Sequence, residues 1–300
     1  MMEVSVIGTG RLGTALAAAL ARRKYLIKAI SDRDSSAARE SRRIIGQGRI
    51  LSDNSIAAAA ADIVFLCLPD DAVGGEATRL AASGVDWRGK RVFHTSGLLT
   101  SAALGPLKRR GALVASIHPI QSFPSKRTPP SRFEGIFWGI EGSPKAVATG
   151  AGIARSLGGR VLRLRAGQKT LYHAACVIAS NYLVVILDRA AALLHEAGIS
   201  GEKALRALYP LVEGTLQNVK ALDTSRALTG PIARGDARSV EAHLMALRRF
   251  PGVSRAYRTL GRLALDSAAK QGLSAPSVRL LRRLLEGERP LLRVPHRSAS

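Results

Sequence analysis

Three glycines, Gly8, Gly10 and Gly13 in the run VSVIGTGRLGTALAAAL, limit this 300-residue chain more than any other feature. A strand-like pattern leads into Gly8 and an alanine-rich helical pattern follows Gly10. The three positions answer separate steric demands. The first glycine allows a tight turn, the second lets backbone approach a pyrophosphate, and the third lets helix pack closely on strand. Free N–H groups around Thr9, Gly10, Arg11 and Leu12, with the dipole of the helix start, are then placed to receive phosphates. A G-x-G-x-x-G alone is a weak sign. With a strand before it, a helix after it and a second strand on schedule, it reads as a dinucleotide fingerprint. That second strand ends in ISDRD. Asp32 suits the ribose hydroxyls of NAD, whereas Arg33 and Ser31 suit the extra phosphate of NADP, unless Asp32 and Arg33 simply pair with each other. The cofactor is therefore expected to be NADP or NAD.

The pattern after the fingerprint fixes the fold class. Up to residue 166, the strand-like runs EVSVIG, YLIKAIS, DIVFLCLP, RVFHTS, ALVASIHP, GIFWGIE and GRVLRLR mostly alternate with helix-length segments. Such alternation predicts an α/β Rossmann doubly wound parallel sheet covered on both faces. DIVFLCL is apolar without alternation, as befits a central strand buried on both sides. From 167 to 288 only helical patterns remain, roughly 168–197, 201–222, 237–248, 252–271 and 275–286, with breaks at Gly198, TGPIARGD, Pro251 and GLSAP. The expectation is a dinucleotide-binding domain over 1–166, an all-α C-terminal domain over 167–288, and a loose tail over 289–300. Asp236 reads as the cap of the helix that follows it.

Ligands of doubly wound sheets bind beyond the carboxyl ends of the strands. Those ends carry Leu68 and Pro69 in LCLPDD, His94, Thr95, Ser96 and Gly97 in FHTSG, and His118, Gln121 and Ser122 in SIHPIQSF. The following stretch, SFPSKRTPPSRFEG, reads either as a mobile lid or as an exposed connection.

YHAACVIASNYLVVIL, residues 172–187, is nearly apolar yet holds His173, Ser180 and Asn181. It is shorter than the roughly 20 apolar residues that span a bilayer, so the reading is a helix with an apolar side and a polar stripe. At about 100° per residue, Lys169, His173, Ser180, Asn181 and Asp188 share one arc. Hydride transfer to a carbonyl leaves an alkoxide to be protonated, and imidazole titrates where that donation is easiest. His118 and His173 are the candidates. His195, His243 and His296 read as structural or tail residues, with His94 between the two groups.

The balance of 45 basic against 22 acidic residues gives a net charge of +23 with arginine scattered throughout, and aromatics make up 4%. Such a field attracts anions in general, but no basic block with interleaved aromatics marks a nucleic-acid reader, so no specific nucleic acid is expected. No signal peptide opens the sequence, and Cys67 and Cys176 read as reduced thiols, which predicts a cytoplasmic protein. No membrane partner and no metal are expected.

Taken together, HTSG, HPIQSF, YHAACVIASNYLV and LTGPIARGD resemble the Rossmann-like oxidoreductase family with the C-terminal domain of unknown function 2520. The resemblance covers roughly residues 3 to 285. That family is similar to the group of 6-phosphogluconate, β-hydroxyacid, pyrroline-5-carboxylate and ketopantoate enzymes. The resemblance implies an NAD(P)-dependent oxidoreductase, acting on a small anionic carbonyl or imine compound such as a 2-oxo acid, and dimeric through its helical half. It also implies cofactor contacts at Gly8, Gly10, Gly13, Pro69 and the HTSG residues. Members of the wider group often carry a lysine four residues before an asparagine on this helix; here Val177 stands four before Asn181, which leaves His173 to take the lysine's place. On this reading His118, His173 and Asn181 do the chemistry, and Gln121, Ser122, Ser180, Thr229 and Arg234 bind the substrate. The alternative is a sensor or regulator that binds NAD(P) without turnover.

Overall fold

A computed structural model of the protein describes residues 1–23, 25–199 and 201–287. The expected tail, 289–300, and His296 lie outside the described residues. The chain divides into two compact units, Met1–Leu183 and Val184 onward. The start of the long helix thus belongs with the sheet, whereas the sequence pattern placed the change of character near residue 167. The reason is local: Lys169 is buried and bonded to two strand ends.

The first unit is built on eight strands, β1 Met2–Ile7, β2 Tyr25–Ser31, β3 Arg49–Ile50, β4 Ile63–Leu66, β5 Arg91–His94, β6 Leu113–Pro119, β7 Phe137–Gly142 and β8 Arg160–Arg163. They lie in the order β3-β2-β1-β4-β5-β6-β7-β8. All neighbours are parallel except β6 and β7, whose antiparallel register sets His118 opposite Gly139. The seven strands of the sequence reading lack β3, a two-residue edge strand too short to carry a period of its own. Helices α1 Arg11–Ala21, α2 Ser35–Ile45, α3 Asn54–Ala59, α4 Asp70–Ala81, α5 Gly105–Arg109 and α6 Pro144–Ser156 connect the strands. Asp34 and Asp53 cap α2 and α3 with their carboxylates.

Two cores follow from the alternation of side chains along buried strands. Val4, Val6, Phe65, Phe93 and Ile117 point to one face with Leu16 and Leu20 of α1. Ile7, Val64, Leu66 and Val92 point to the other with Val73 and Leu80 of α4 and Trp87. A sheet covered on both faces is the doubly wound arrangement that the alternating pattern predicts.

The stretch 122–135 packs down onto the unit. Phe133 is fully buried against Trp138, with ring centroids 5.5 Å apart, and Lys126 reaches the Ala37 carbonyl at 3.1 Å and Glu40 at 3.2 Å. Of the two readings, the exposed connection describes it, with Phe133 and Lys126 anchoring a stretch whose other residues are mostly exposed.

Beyond β8 the chain is helical: α7 Lys169–Val177, a π turn Ile178–Tyr182, α8 Leu183–Glu196, α9 Glu202–Arg226, α10 Ala237–Ala246, α11 Pro251–Lys270 and α12 Ala275–Glu286. The second unit closes around Val240, Leu244, Leu265, Leu281 and Leu285. Asp236 caps α10 by accepting from the Ser239 N–H at 3.1 Å, as expected.

The stretch Ala166–Glu196 forms a continuous 31-residue helix that is long and apolar enough to cross a membrane by length and composition. The helical pattern read at roughly 168–197 matches this length, while the comparison with a bilayer span weighed only the apolar run 172–187. The π turn also breaks the assumed 100° advance, because i→i+5 bonding widens the turn. Positions past Val177 are therefore displaced from those a constant step gives. Ser180 and Asn181 are exposed there.

Candidate active site

At the end of β1 the chain makes the turn that its glycines permit. Gly8 has φ +92°, and a Cβ on it would sit 2.4 Å from the Cys67 carbonyl oxygen; one on Gly13 would sit 2.0 Å from the Gly8 oxygen. Both positions are closed to any side chain. Gly10 is different: nothing lies within 4 Å of where its Cβ would be. A glycine with open space at the first turn of a helix leaves room for a bulky anion against backbone N–H groups. The residues present therefore fit a dinucleotide pyrophosphate.

A cavity of about 480 Å³ opens beside this turn, lined by Gly8, Gly10, Ser31, Asp32, Arg33, Leu68 and Pro69 together with Asn54 and Arg79. Its polar groups are unequally free. Asp32 accepts from the Thr9 N–H at 2.7 Å and the Thr9 hydroxyl at 2.9 Å through one oxygen, and from the Asp34 N–H at 3.1 Å through the other. Partial burial alone would raise the Asp32 carboxyl, but the hydrogen bonds from Asp34 and Thr9 outweigh it and hold it below its usual range. Thr9 is consequently buried and engaged rather than open to phosphate. Ser31 donates to Asn54, which donates in turn to Glu76. Arg33 is exposed at the rim, and no ion pair joins it to Asp32 among the described residues.

At the ends of β5 and β6 lies a second cluster. Lys169, the first residue of α7, is 1% exposed. Its Nζ donates to the Ser96 carbonyl at 2.8 Å and to the Ser116 hydroxyl oxygen at 2.7 Å. No carboxylate lies within ion-pairing distance of it among the described residues. Burial lowers it to about 8, against the raising influence of Glu141 and Asp70.

One turn along, Tyr172 and His173 join the cluster. Gly139, opposite His118 on β7, leaves the space that Tyr172 fills: a Cβ there would be 2.5 Å from the phenol oxygen. The Tyr172 hydroxyl pairs with His118 Nδ1 at 2.7 Å. Burial raises the Tyr172 phenol and lowers His118 to about 3, with the Lys169 charge adding to the latter, so the imidazole is neutral. Gly97 sits between His118 and His173: a Cβ on it would come within 3.1 Å of His118 Nε2 and 2.4 Å of the His173 ring. The two imidazoles meet edge to face with centroids 6.1 Å apart.

His94 is spent elsewhere. Its Nδ1 accepts from the Ser96 N–H at 3.3 Å, which leaves Nε2 to donate to the Thr100 carbonyl at 3.0 Å, and burial lowers it to about 4. It braces the HTSG turn. Ser96 Oγ accepts from the Leu98 and Leu99 N–H groups, and Thr95 is buried beside Cys67.

The structure thus brings His118, His173, Ser96 and Gly97 together and adds Lys169 and Tyr172, which the sequence reading did not select. Lys169 appeared as a member of the polar arc but was not taken as a site residue; its place at the head of that arc was the available signal. Gln121 folds back on Ser122, accepting its N–H at 2.8 Å. Thr229 and Arg234 are exposed residues of the second unit.

The Rossmann-like domain family matches residues 1–119, and the domain of unknown function 2520 matches residues 136–264. The chain carries a Rossmann-like domain followed by a 2520 domain. No curated protein matches its sequence. Solved structures do. A Bacteroides fragilis protein described as a candidate NADP oxidoreductase is 25% identical, with 88% of this chain and 98% of that one covered and a TM-score of 0.75. A protein from Thermotoga maritima is 26% identical over 89% of this chain and 99% of its own, with a TM-score of 0.68. A variant imine reductase from Myxococcus stipitatus, solved with NAD+, shares the fold at 16% identity, covering 95% and 99% with a TM-score of 0.62. The expected combination of a Rossmann-like half with a 2520 half is thereby met.

Proposed function

We propose that the protein is an NAD(P)-dependent oxidoreductase that transfers a hydride between the nicotinamide and a small carbonyl or imine compound, with a 2-oxo acid of the ketopantoate type as the first substrate to test. The observation that carries this reading is the open cradle at Gly10, on the same strand-end edge of the sheet as the Lys169, Tyr172, His118 and His173 cluster. The NADP or NAD+ named for proteins of the same fold supports it.

NAD(P)H, when bound, supplies the hydride and its electron pair. The N–H groups of Gly10, Arg11 and Leu12 would hold the pyrophosphate, Leu68 and Pro69 would border it, and Thr95, Ser96 and Gly97 would contact the nicotinamide half. Neutral His118, with Nδ1 turned to Tyr172, offers Nε2 to the substrate oxygen or nitrogen and polarises it. The partly exposed His173 gives the proton, Asn181 further along the same helix assists it, and Ser180, Gln121 and Ser122 bind the substrate. Asp32 braces Thr9 and leaves Arg33 at the rim, so NADPH and NADH are both to be titrated.

A homodimer joined through the helical half, free in the cytoplasm, completes the proposal. It is supported by exposed Leu171, Ile178, Val184 and Val185 on the long helix and by two free thiols. Light scattering reads the oligomeric state.

Fluorescence titration with NADPH and NADH separately, followed by 2-oxo acids and cyclic imines as substrates, tests the reading. Saturable binding with oxidation of the reduced cofactor is expected; no association with either nucleotide would sink it. In the active protein, His173→Ala should cut turnover by about a hundredfold, the usual contribution of a positioned proton donor, with nucleotide affinity unchanged.

A further inference from the structure

A lysine buried without an acid partner is costly to keep, and its charge acts on whatever binds nearby. Lys169 is such a group. Two of its three N–H donors are held, by the Ser96 carbonyl and the Ser116 hydroxyl, and the third has no partner among the described residues. The acids nearest in the fold do not neutralise it by contact. Glu141 stands opposite Ser116 in the β6–β7 register, but both its oxygens are taken by Ser101, through the N–H and the hydroxyl at 3.0 Å. Asp70, at the start of α4, is exposed. The polar side chains beside Lys169 are neutral: Tyr172, His118 and Ser116 carry no charge that would screen it.

The sign of that charge separates the two substrate types left open above. When a carbonyl is reduced, its carbon receives a hydride and forms a C–H bond, while the C=O π pair passes to oxygen. The oxygen becomes more negative until it takes a proton from His173, and the nicotinamide is oxidised. When a protonated imine is reduced, its carbon receives the same hydride, but the C=N π pair returns to a nitrogen that began positive. A buried ammonium stabilises the first change in water-poor surroundings and repels the second substrate before it reacts.

We propose that this site is a carbonyl reductase site, selecting neutral or anionic carbonyl compounds and rejecting iminium ions through the Lys169 ammonium beneath its floor. This rests on the oxidoreductase reading and narrows it. Lys169 is a positioning residue: it acts through Ser96, Ser116 and the aromatic pair above it, its Nζ standing 5.8 Å from the Tyr172 ring centroid.

The test uses the full chain saturated with NADPH and two ring probes of opposite charge, cyclopentanecarboxylate and pyrrolidine, titrated by calorimetry at pH 7. The carboxylate is expected to bind at least about tenfold more tightly, the size of effect that one interior charge gives. Lys169→Met should erase the preference while NADPH affinity stays, Lys169→Arg should keep its sign, and Ser116→Ala, which withdraws one anchor, should weaken it. Equal or tighter binding of pyrrolidine, binding of neither probe, or a preference that survives Lys169→Met and Ser116→Ala overturns the proposal. If NADPH itself does not bind, the oxidoreductase reading falls instead, and the same two probes read the charge preference on the bare chain.

Discussion

The turn after β1 and the start of α7 both bury polar groups at strand ends, and they do so by opposite means. Around Thr9 the network closes on itself. Asp32 takes the Thr9 amide and hydroxyl, the Thr14 hydroxyl lies 2.9 Å from the Thr9 carbonyl, and Ser41 contacts both Thr9 and Thr14. Such a network fixes a backbone shape. Around Lys169 a full charge is held by two neutral acceptors with no carboxylate in contact, so its burial costs more than those bonds return. A saturated network holds the scaffold; on the proposal above, an unbalanced one selects the substrate.

The largest effect should come from breaking the scaffold side. Gly13→Ala drives a Cβ to 2.0 Å from the Gly8 oxygen. That contact is with backbone, which cannot swing away, so overpacking of about 1–3 kcal/mol or more is expected, seen as a lower melting temperature together with loss of NADPH fluorescence binding. Gly10→Ala, with nothing within 4 Å, should melt like the parent and lose only the nucleotide. Equal effects of the two substitutions on melting would contradict the cradle.

Next comes the charge. Lys169 has its folded value lowered to about 8 from 10.5, so between those values the unfolded chain holds more protons than the folded one. Stability contributed at this site therefore rises as pH climbs from about 8 to 10.5, and the penalty is fully present below 8. Lys169→Met should stabilise the fold at pH 7 by about 1–3 kcal/mol, less what is lost at Ser96 and Ser116, and the gain should fade by pH 10.5. Denaturant melts across that range measure it; a gain independent of pH would mean that packing rather than charge is responsible.

Much of this fold is visible in the residue order. The glycine spacing, the buried strand DIVFLCL and the cap Asp236 are local features, each set by its own few neighbours, and the local residue pattern reports them. The site is legible only in part. His118 and His173 stand out by residue type at strand end and helix face. Lys169 looks like any charged residue flanking an apolar run, because its burial is created by Ser96 and Ser116, which are 73 and 53 residues away. Tyr172 is hidden for the same reason, since the space it enters is made by Gly139. The π turn defeats the helical arithmetic beyond Val177, where a constant 100° step carried Asn181 onto the arc of Lys169.

A smaller effect is expected on the scaffold side from Asp32→Ala, which leaves the Thr9 amide and hydroxyl unpaired in a buried place and should cost about 1–3 kcal/mol. Because the Asp32 carboxyl is held below its usual range, its contribution is present above the unfolded value of 3.8 and is lost as pH falls through the lower folded value. The parent and the variant should therefore converge in acid. A difference that persists there would assign the loss to packing.

The smallest effect separates the two ends of the long helix. Asn181 lies in the π turn and is exposed, whereas Lys169 is buried three turns earlier. Asn181→Ala removes no hydrogen bond seen among the described residues, so stability should stay within about 0.5 kcal/mol. Its contribution, if it binds substrate, appears only in KM, and Lys169→Met should change the preference between charged ring probes while Asn181→Ala leaves it alone. A change of probe preference in the asparagine variant would move the selective charge out of the sheet's edge and onto the exposed turn, and the contrast between the saturated and unbalanced regions would no longer explain which substrates enter.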